Sequence, residues 1–365
     1  MYLALYRKFR PTEFDGIIGQ EHITKTLRNQ IQNGQIGHAY LFCGSRGTGK
    51  TTAAKVFARA INCESPVKGS PCGKCATCKA LQQPNAIDIL EIDAASNNGV
   101  DEIRDLKEKI KYAPSVGKYK VYIIDEVHML SAGAFNALLK TLEEPPSHAV
   151  FILATTEVHK LPATILSRVL RFDFKLVSSE EIAKLLTKIF KESNITCEDG
   201  AVKLIANAGE GSVRDALSIA DMCASFSDNN IKYQDVIDVL GINNRETILA
   251  LCESVLTENI AKFFTEFHKI VSEGKNLALT SSELTKTFRD MLIIKSIGKD
   301  SNLLDWSTEL LPSLEKLATE TSVVKINKAM QAFSKIESEL KYATNPQLLM
   351  ETTAMSLLSS EVKKN

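Results

Sequence analysis

The sequence predicts an α/β fold, a parallel sheet with flanking helices, followed by an all-helical half. Three observations carry this. Gly44-Ser45-Arg46-Gly47-Thr48-Gly49-Lys50-Thr51 fits the phosphate-loop pattern G-x-x-x-x-G-K-[ST] at every fixed position. Apolar runs at residues 38–43, 120–124 and 149–154 alternate with segments of helical periodicity. From Ser178 onward only helical patterns remain.

Each element has its local reason. Residues 2–20 open with the basic-aromatic arm Tyr6-Arg7-Lys8-Phe9-Arg10-Pro11 and continue through Ile17 and Ile18 to Gln20. The arm is either a surface segment packed on a core or one wall of an adenine pocket, with Tyr6, Arg10, Pro11 and Ile18 facing the nucleotide. An amphipathic helix is expected from Gln20 to Gln32, ended by Asn33-Gly34. His38–Cys43 reads as a short buried strand and Thr52–Ala60 as a helix, so Gly44–Thr52 forms a strand-to-helix turn. Such a turn directs backbone N–H groups at an anion, helped by the helix dipole. Lys50 would reach the β- and γ-phosphates, and the Thr51 hydroxyl would bind Mg²⁺.

Cys63, Cys72, Cys75 and Cys78 follow as C-x8-C-x2-C-x2-C. The two-residue gaps let successive thiolates turn onto one ion, and four thiolates make a closed, structural Zn²⁺ site. Pro66, Gly69, Pro71 and Gly73 suit a knuckle. Cys43, Cys197, Cys223 and Cys252 stand alone and read as small hydrophobes.

A second strand is expected over Ala86–Asp93, then a turn at Asn97-Asn98-Gly99 and a helix from Val100 to Tyr112. Lys120–Glu126 is an apolar strand ending in two carboxylates. Buried acids at a strand end need a cation nearby, and beside a phosphate loop that cation is Mg²⁺. Asp125 would hold it through water, and Glu126 would orient or deprotonate the attacking water. His128 alone reads as a packed or solvated histidine. A helix over Ala134–Glu144 stops at Pro145-Pro146, and Ala149–Thr156 is a further buried strand. The Thr155 hydroxyl at its end either senses the γ-phosphate or caps the turn. A short helix at Leu161–Leu166 and a strand at Val169–Phe174 complete the sheet.

About three helices are expected between Ser178 and Leu240. Ser212 would cap one of them, placing Arg214 in a first turn where the dipole disfavours a cation. That misfit hints at another use for Arg214. Gly241–Asn365 is helical without a catalytic constellation, and residues 361–365 read as a frayed tail.

The chain has 365 residues, 44% apolar and 24% charged, with 44 basic and 44 acidic residues. This supports two to three domains and excludes a global basic field, so nucleic acid would have to meet local patches. Arg7, Lys8 and Arg10 interrupt any signal-peptide core, and no apolar run approaches the ~20 residues of a membrane span. With eight cysteines, a reducing cytoplasm is expected.

Taken together, the opening arm, the phosphate loop, the four-cysteine insert, Asp125–Leu130, Leu138–Pro146, Ala154-Thr155-Thr156, Ser167-Arg168 and Gly211–Asp215 resemble the gamma/tau family of bacterial DNA polymerase III. That family supplies the AAA+ ATPase of the sliding-clamp loader. The resemblance implies a P-loop AAA+ domain at 1–177 with a zinc insert at 63–78, an α-helical lid at 178–241 and an α-helical collar at 242–365. It implies that Thr155 is a first sensor, Arg214 a second sensor, and Arg168 an arginine finger acting on the ATP of a neighbouring subunit. Val169 stands where the family usually carries cysteine. The cofactors implied are ATP, Mg²⁺ and Zn²⁺. The partners implied are delta, delta-prime and further gamma/tau copies in a five-subunit ring, the sliding clamp and primed DNA, with no membrane. A tau-type extension is expected to lie outside this length. The rival functions are a branch-migration type AAA+ motor and a nucleotide-binding scaffold without turnover.

Overall fold

The computed structural model describes residues 3–358 apart from 84–85, 300, 302, 305 and 307–308. The expected tail at 361–365 lies outside the described residues. The chain divides into two compact units, 1–233 and 234–365.

The first unit is built on five parallel strands: β1 (Ala39–Cys43), β2 (Ile89–Asp93), β3 (Lys120–Asp125), β4 (Ala149–Thr155) and β5 (Leu170–Asp173). Their order across the sheet is β2-β3-β4-β1-β5. The central strands are apolar on both faces because helices cover both. Tyr40, Phe42, Val121, Ile123 and Ile152 pack on one side with Leu27, Val56 and Phe57. Those partners come from α2 (Glu21–Gln32) and α3 (Lys50–Asn62). Leu41, Tyr122, Ile124, Phe151 and Leu153 pack on the other with Ile103, Leu106, Leu138 and Leu142. These come from α5 (Val100–Ile110) and α6 (Ala132–Glu143). Residue alternation along each strand thus feeds two cores in three layers. Two ring pairs fasten them, Tyr40 edge-on to Phe57 at 4.8 Å and Tyr122 stacked on Phe151 at 5.4 Å.

Buried amides act as clamps between distant segments. The Asn62 side chain donates to the Tyr119 carbonyl and accepts from its N–H, at 3.0 and 2.7 Å. Gln20 does the same with Lys175, at 2.7 and 3.1 Å.

Some elements depart from expectation. The second strand begins at Ile89 and not Ala86; just before it the Asp88 carbonyl accepts the Val121 N–H at 2.8 Å, while its carboxylate receives the N–H groups of Ser115, Val116 and Gly117 at 2.8, 2.7 and 3.0 Å. The arm contains a short helix, α1 (Leu5–Lys8). Four helices, not three, cover the stretch to Leu240: α8 (Ser179–Ser193), α9 (Asp199–Ala208), α10 (Val213–Phe226) and α11 (Tyr233–Leu240). This stretch is also not all-helical as expected: after the left-handed Asp228-Asn229, φ 49° and 64°, the two-residue strand Asn230–Ile231 pairs in parallel with Thr196–Cys197. The Ser178 hydroxyl and Glu181 carboxylate form a reciprocal capping box at the start of α8.

Among the described residues of the second unit, the run of helical periodicity from Gly241 resolves into six helices after α11. They are α12 (Arg245–Leu256), α13 (Ile260–Ser272), α14 (Leu277–Ile297), α15 (Leu311–Glu320), α16 (Val323–Leu340) and α17 (Pro346–Leu358). Asn244, Asn259, Asn276 and Ser322 each accept an N–H from the turn they cap. Phe263, Phe267, Phe288 and Phe333 fill its core. Among the described residues no helix is long and apolar enough to cross a membrane.

Asp88 is 1% exposed. Burial pushes its carboxyl up, but the three N–H donors and Lys120 outweigh this and hold it below the usual carboxylate range. A depressed folded pKa stabilises above the unfolded pKa and is lost as pH falls through the folded value. Asp88→Ala is therefore expected to lower stability at neutral pH by about 1–3 kcal/mol, removing the buried acceptor of three loop N–H groups. Its penalty shrinks in acid. Urea unfolding followed at pH 7 and pH 3 checks both points; an equal penalty at the two pH values contradicts the assignment.

Candidate nucleotide and metal sites

Because all five strands are parallel, their carboxyl ends share one edge of the sheet, where α/β proteins bind ligands. The phosphate loop leaves β1 at this edge. Gly44, Gly47 and Gly49 hold φ values of 144°, 76° and 100°. Gly47 is required twice over, since a Cβ there would collide with the Ser212 hydroxyl. α3 starts at Lys50, two residues earlier than expected, with Gly49 as its N-cap. Lys50 is 6% exposed. Its ammonium curls over the loop and donates to the Gly44 and Ser45 carbonyls at 2.8 and 2.9 Å. Burial lowers its pKa, and the nearby Glu126 and Asp125 charges work in the opposite direction. Ser45 and Arg46 project outward as exposed residues, and Thr48 folds back to donate to the Ser45 carbonyl at 2.8 Å.

The expected acid pair meets this loop. The Thr51 hydroxyl donates to Asp125 Oδ2 at 2.6 Å. A carboxylate oxygen and a hydroxyl oxygen are the hard donors that Mg²⁺ selects. Glu126 adopts a left-handed backbone, φ 47°, and accepts from the Thr156 N–H and hydroxyl at 3.3 and 3.0 Å. The Thr155 hydroxyl is fully buried, accepts the Glu157 N–H at 3.0 Å and lies 3.0 Å from His128 Nδ1. The Glu157 N–H contact fastens the turn that follows β4. His128 is a packed histidine between two acids, with Glu126 at 3.4 Å and Glu157 at 3.3 Å. The engagement of Thr156 and His128 with Glu126 is absent from the sequence reading. Only their position at the end of adjacent strands hints at it.

The arm and α10 close over the loop. Arg10 donates to the Thr52 hydroxyl at 3.2 Å. Ser212 caps α10 by accepting the Asp215 N–H at 3.2 Å, and the Val213 N–H donates to the Gly47 carbonyl at 3.1 Å. The Arg214 guanidinium then lies 5.3 Å above the Tyr6 ring. Pro11 is half-buried against Gly16, and Ile18 is half-buried next to the core residue Ile17. Tyr6, Arg10, Thr52 and Arg214 are therefore brought to the loop.

Arg168 is not. It precedes β5 and stands at the opposite edge of the sheet. It donates to Glu143 Oε1 from two nitrogens at 3.0 and 2.5 Å and to the Thr164 carbonyl at 2.7 Å. An open groove beside it is lined by Gly37, His38, Leu142, Glu143 and Val169. Val169 packs inward on the α5/α6 core.

The four cysteines of the insert converge, with every Sγ within 4.8 Å of the others and Cys72 4.0 Å from Cys78. Tetrahedral Zn–S bonds of about 2.3 Å require sulfurs about 3.8 Å apart, which this cluster nearly meets. Backbone N–H groups already point at the sulfurs. Cys72 N–H reaches Cys63, those of Lys74 and Cys75 reach Cys72, and that of Cys78 reaches Cys75, all at 3.3–3.4 Å. The donors from Lys74 and Cys75 pull the Cys72 thiol down to about 6, whereas burial pushes Cys78 up. The residues fit a four-thiolate zinc site. Cys43, Cys223 and Cys252 are buried and Cys197 is half-buried, all outside this cluster.

Comparison with known proteins follows the same division of the chain. Residues 19–178 match the family model "DNA polymerase III, delta subunit", residues 181–229 match "DNA polymerase III clamp loader subunit, ATPase lid domain", and residues 231–363 match "DNA polymerase III subunits gamma and tau domain III". The DNA polymerase III subunit tau of Bacillus subtilis is 44% identical over 98% of this chain and 63% of its own length. That of Escherichia coli is 38% identical over 98% and 55%. This chain thus spans less than two thirds of the length of those two relatives. The DNA polymerase III subunit gamma of Buchnera aphidicola is 37% identical and is covered over 99% of its length by the whole of this chain. Among solved structures, the Thermotoga maritima RuvB branch migration motor aligns at 21% identity and a TM-score of 0.49, covering 68% of this chain and 79% of that one. Near-complete mutual coverage at this identity places the chain in the DNA polymerase III gamma/tau family.

Proposed function

We propose that this chain is an ATP-hydrolysing motor subunit of a bacterial clamp loader, working in the cytoplasm to place the sliding clamp on primed DNA. The observation that carries the reading is the 2.6 Å contact between Thr51 and Asp125 under a buried Lys50. Three groups that phosphoryl transfer needs converge there, in a chain of the gamma/tau family. The domains in this reading are the nucleotide-binding part at 1–177, the lid at 178–241 and the collar at 242–365.

The residues would divide the work as follows. Amides of Gly44–Lys50 grip the phosphates, and Lys50 leaves the two carbonyls it now holds to neutralise them. Thr51 and Asp125 would hold Mg²⁺, which offsets charge developing on the β- and γ-oxygens. Glu126 orients the attacking water and takes its proton. Thr155 and Arg214 report the γ-phosphate from β4 and from the lid. Tyr6, Arg10, Pro11 and Ile18 wall the base. Arg168, at the far edge of its own sheet, serves the ATP of an adjacent subunit. Cys63, Cys72, Cys75 and Cys78 hold a closed zinc site that supplies structure and no open coordination position. The partners in this reading are delta, delta-prime and further copies of the family in a five-membered ring, with clamp and primed DNA inside it.

The deciding experiment is ATP turnover by the chain assembled with its loader partners, with and without clamp and primed DNA. Stimulation by both is expected; turnover indifferent to the clamp refutes the reading. Glu126→Gln should keep ATP affinity while turnover falls about 10²–10⁴-fold, the usual weight of a general base; unchanged turnover removes Glu126 from that role. Arg168→Ala should bind ATP normally yet lose about 10³–10⁵-fold in the assembled complex. An equal loss in the isolated chain would contradict action between subunits. Metal analysis of the purified chain should return one zinc per polypeptide, and a folded, metal-free preparation would overturn the zinc site.

A further inference from the structure

The helix that begins under the phosphates ends at the cysteine cluster. α3 runs from Lys50 to Asn62, and its C-cap residue is Cys63. Arg59 sits in its last turn, half-buried. Its Nε donates to the Lys55 carbonyl at 3.3 Å, and a terminal nitrogen donates to the Thr12 carbonyl at 3.0 Å. Thr12 belongs to the arm, two residues beyond Arg10, which bonds the Thr52 hydroxyl. Burial lowers the Arg59 pKa and Arg10 adds to this, while negative charge on Cys78 favours the guanidinium. A zinc ion with four thiolates carries a net charge of about −2. It would stand at a helix C-terminus, where the dipole is already negative. Arg59 lies one helical turn before Cys63 on α3 and holds the arm through the Thr12 carbonyl.

A second link runs in parallel. Gly69, inside the insert at φ 77°, approaches α2 so closely that a Cβ would lie 2.9 Å from the backbone of Arg28. Arg28 in turn holds Asp15 at 2.6 Å and lies over the Phe14 ring at 5.7 Å. Asp15 and Phe14 continue the same arm. The insert thus touches the arm's support from two sides.

We propose that Arg59 is a positioning residue that ties the four-cysteine centre to the N-terminal arm, so that zinc loading tightens nucleotide binding. The inference rests on the nucleotide-site reading above. With zinc in place, Arg59 is drawn to the thiolate cluster and keeps Thr12, and hence Arg10, in register over Thr52. Without zinc the countercharge is lost and the arm loosens. Because coupling is reciprocal, nucleotide must also tighten zinc.

The test uses the full chain, a fluorescent ATP analogue and a chromogenic zinc chelator. Arg59→Met keeps the apolar stem and removes the guanidinium. It is expected to retain one zinc yet bind nucleotide about five- to tenfold more weakly, the scale of one charge-assisted hydrogen bond net of water. Zinc removal from the unaltered chain should weaken nucleotide binding by a similar factor, and zinc removal from Arg59→Met should add nothing. Nucleotide should slow zinc loss to the chelator in the unaltered chain only. Arg59→Lys should keep zinc but not restore the coupling, since a compact ammonium cannot reproduce the planar fork that reaches the Lys55 and Thr12 carbonyls from separate nitrogens. Equal nucleotide affinity in the zinc-bound unaltered chain and Arg59→Met overturns the proposal, as do additive effects of variant and zinc removal. If zinc-bound Arg59→Met binds normally while zinc-free protein unfolds, zinc acts only on folding and the proposal fails. Lys50→Ala separates the two readings. If neither it nor the unaltered chain binds nucleotide, the functional reading falls. If only the unaltered chain binds and zinc has no influence, Arg59 coupling alone falls.

Discussion

Two carboxylates at the end of a buried strand set the terms for the first unit. β3 is buried through Ile124, and Asp125 and Glu126 emerge half-buried at its end. Unpaired charges so placed cost several kcal/mol each after relaxation. Thr51 donates to Asp125 and Thr156 to Glu126, and Thr51 can do so because α3 begins directly beneath the strand end. That start depends on three left-handed glycines and on the packing of Val56 and Phe57 beneath Tyr40 and Phe42. The sheet, the loop and the acids are therefore one arrangement. Removing any of them leaves the others with unpaired charge.

The same edge explains how the lid is fastened. Its helix α10 does not merely cover the loop. The Val213 N–H bonds the Gly47 carbonyl, and Ser212 occupies the space a Gly47 side chain would need. Arg214 is thereby carried to Tyr6 despite sitting where the α10 dipole disfavours it. The ring face offsets some of that cost, worth about 0.5–1 kcal/mol at a partly exposed site. A change in the loop's shape must pass to α10 through backbone contacts, with no long side chain to absorb it.

Much of this was legible in the residues because the signals are local. The phosphate loop, the acid pair and the cysteine spacing are each written within a few consecutive residues. The central strands announce themselves by apolar runs that only a doubly covered sheet tolerates. What sequence could not show is what joins residues far apart. Strand order, which puts β4 between β3 and β1, follows from packing of crossovers. The clamp of Gln20 on Lys175 spans 155 positions, and the grip of Thr156 on Glu126 spans 30. Asp88 looked like one more strand residue because its three partners lie in a loop after α5. The pairing of Thr196–Cys197 with Asn230–Ile231 is two residues long on each side, too short to leave a periodic signal.

The placement of Arg168 decides how the proposed activity would be gated. Its pairing with Glu143 is partly exposed, with 32% and 45% of the two side chains open to solvent. Such pairs contribute about 0–1 kcal/mol. Releasing the guanidinium from Glu143 is thus a small cost beside the roughly 4–7 kcal/mol that a 10³–10⁵-fold arginine effect represents. The barrier to using Arg168 is therefore not its present partner. It is distance: the residue lies across the sheet from the loop of its own chain, and no side-chain rotation spans that gap. A neighbouring subunit presenting its nucleotide to the groove by Gly37, Leu142 and Val169 would remove the obstacle at once. Under the proposed reading, hydrolysis would be controlled by assembly geometry, and the salt bridge would only park the arginine until that geometry is met.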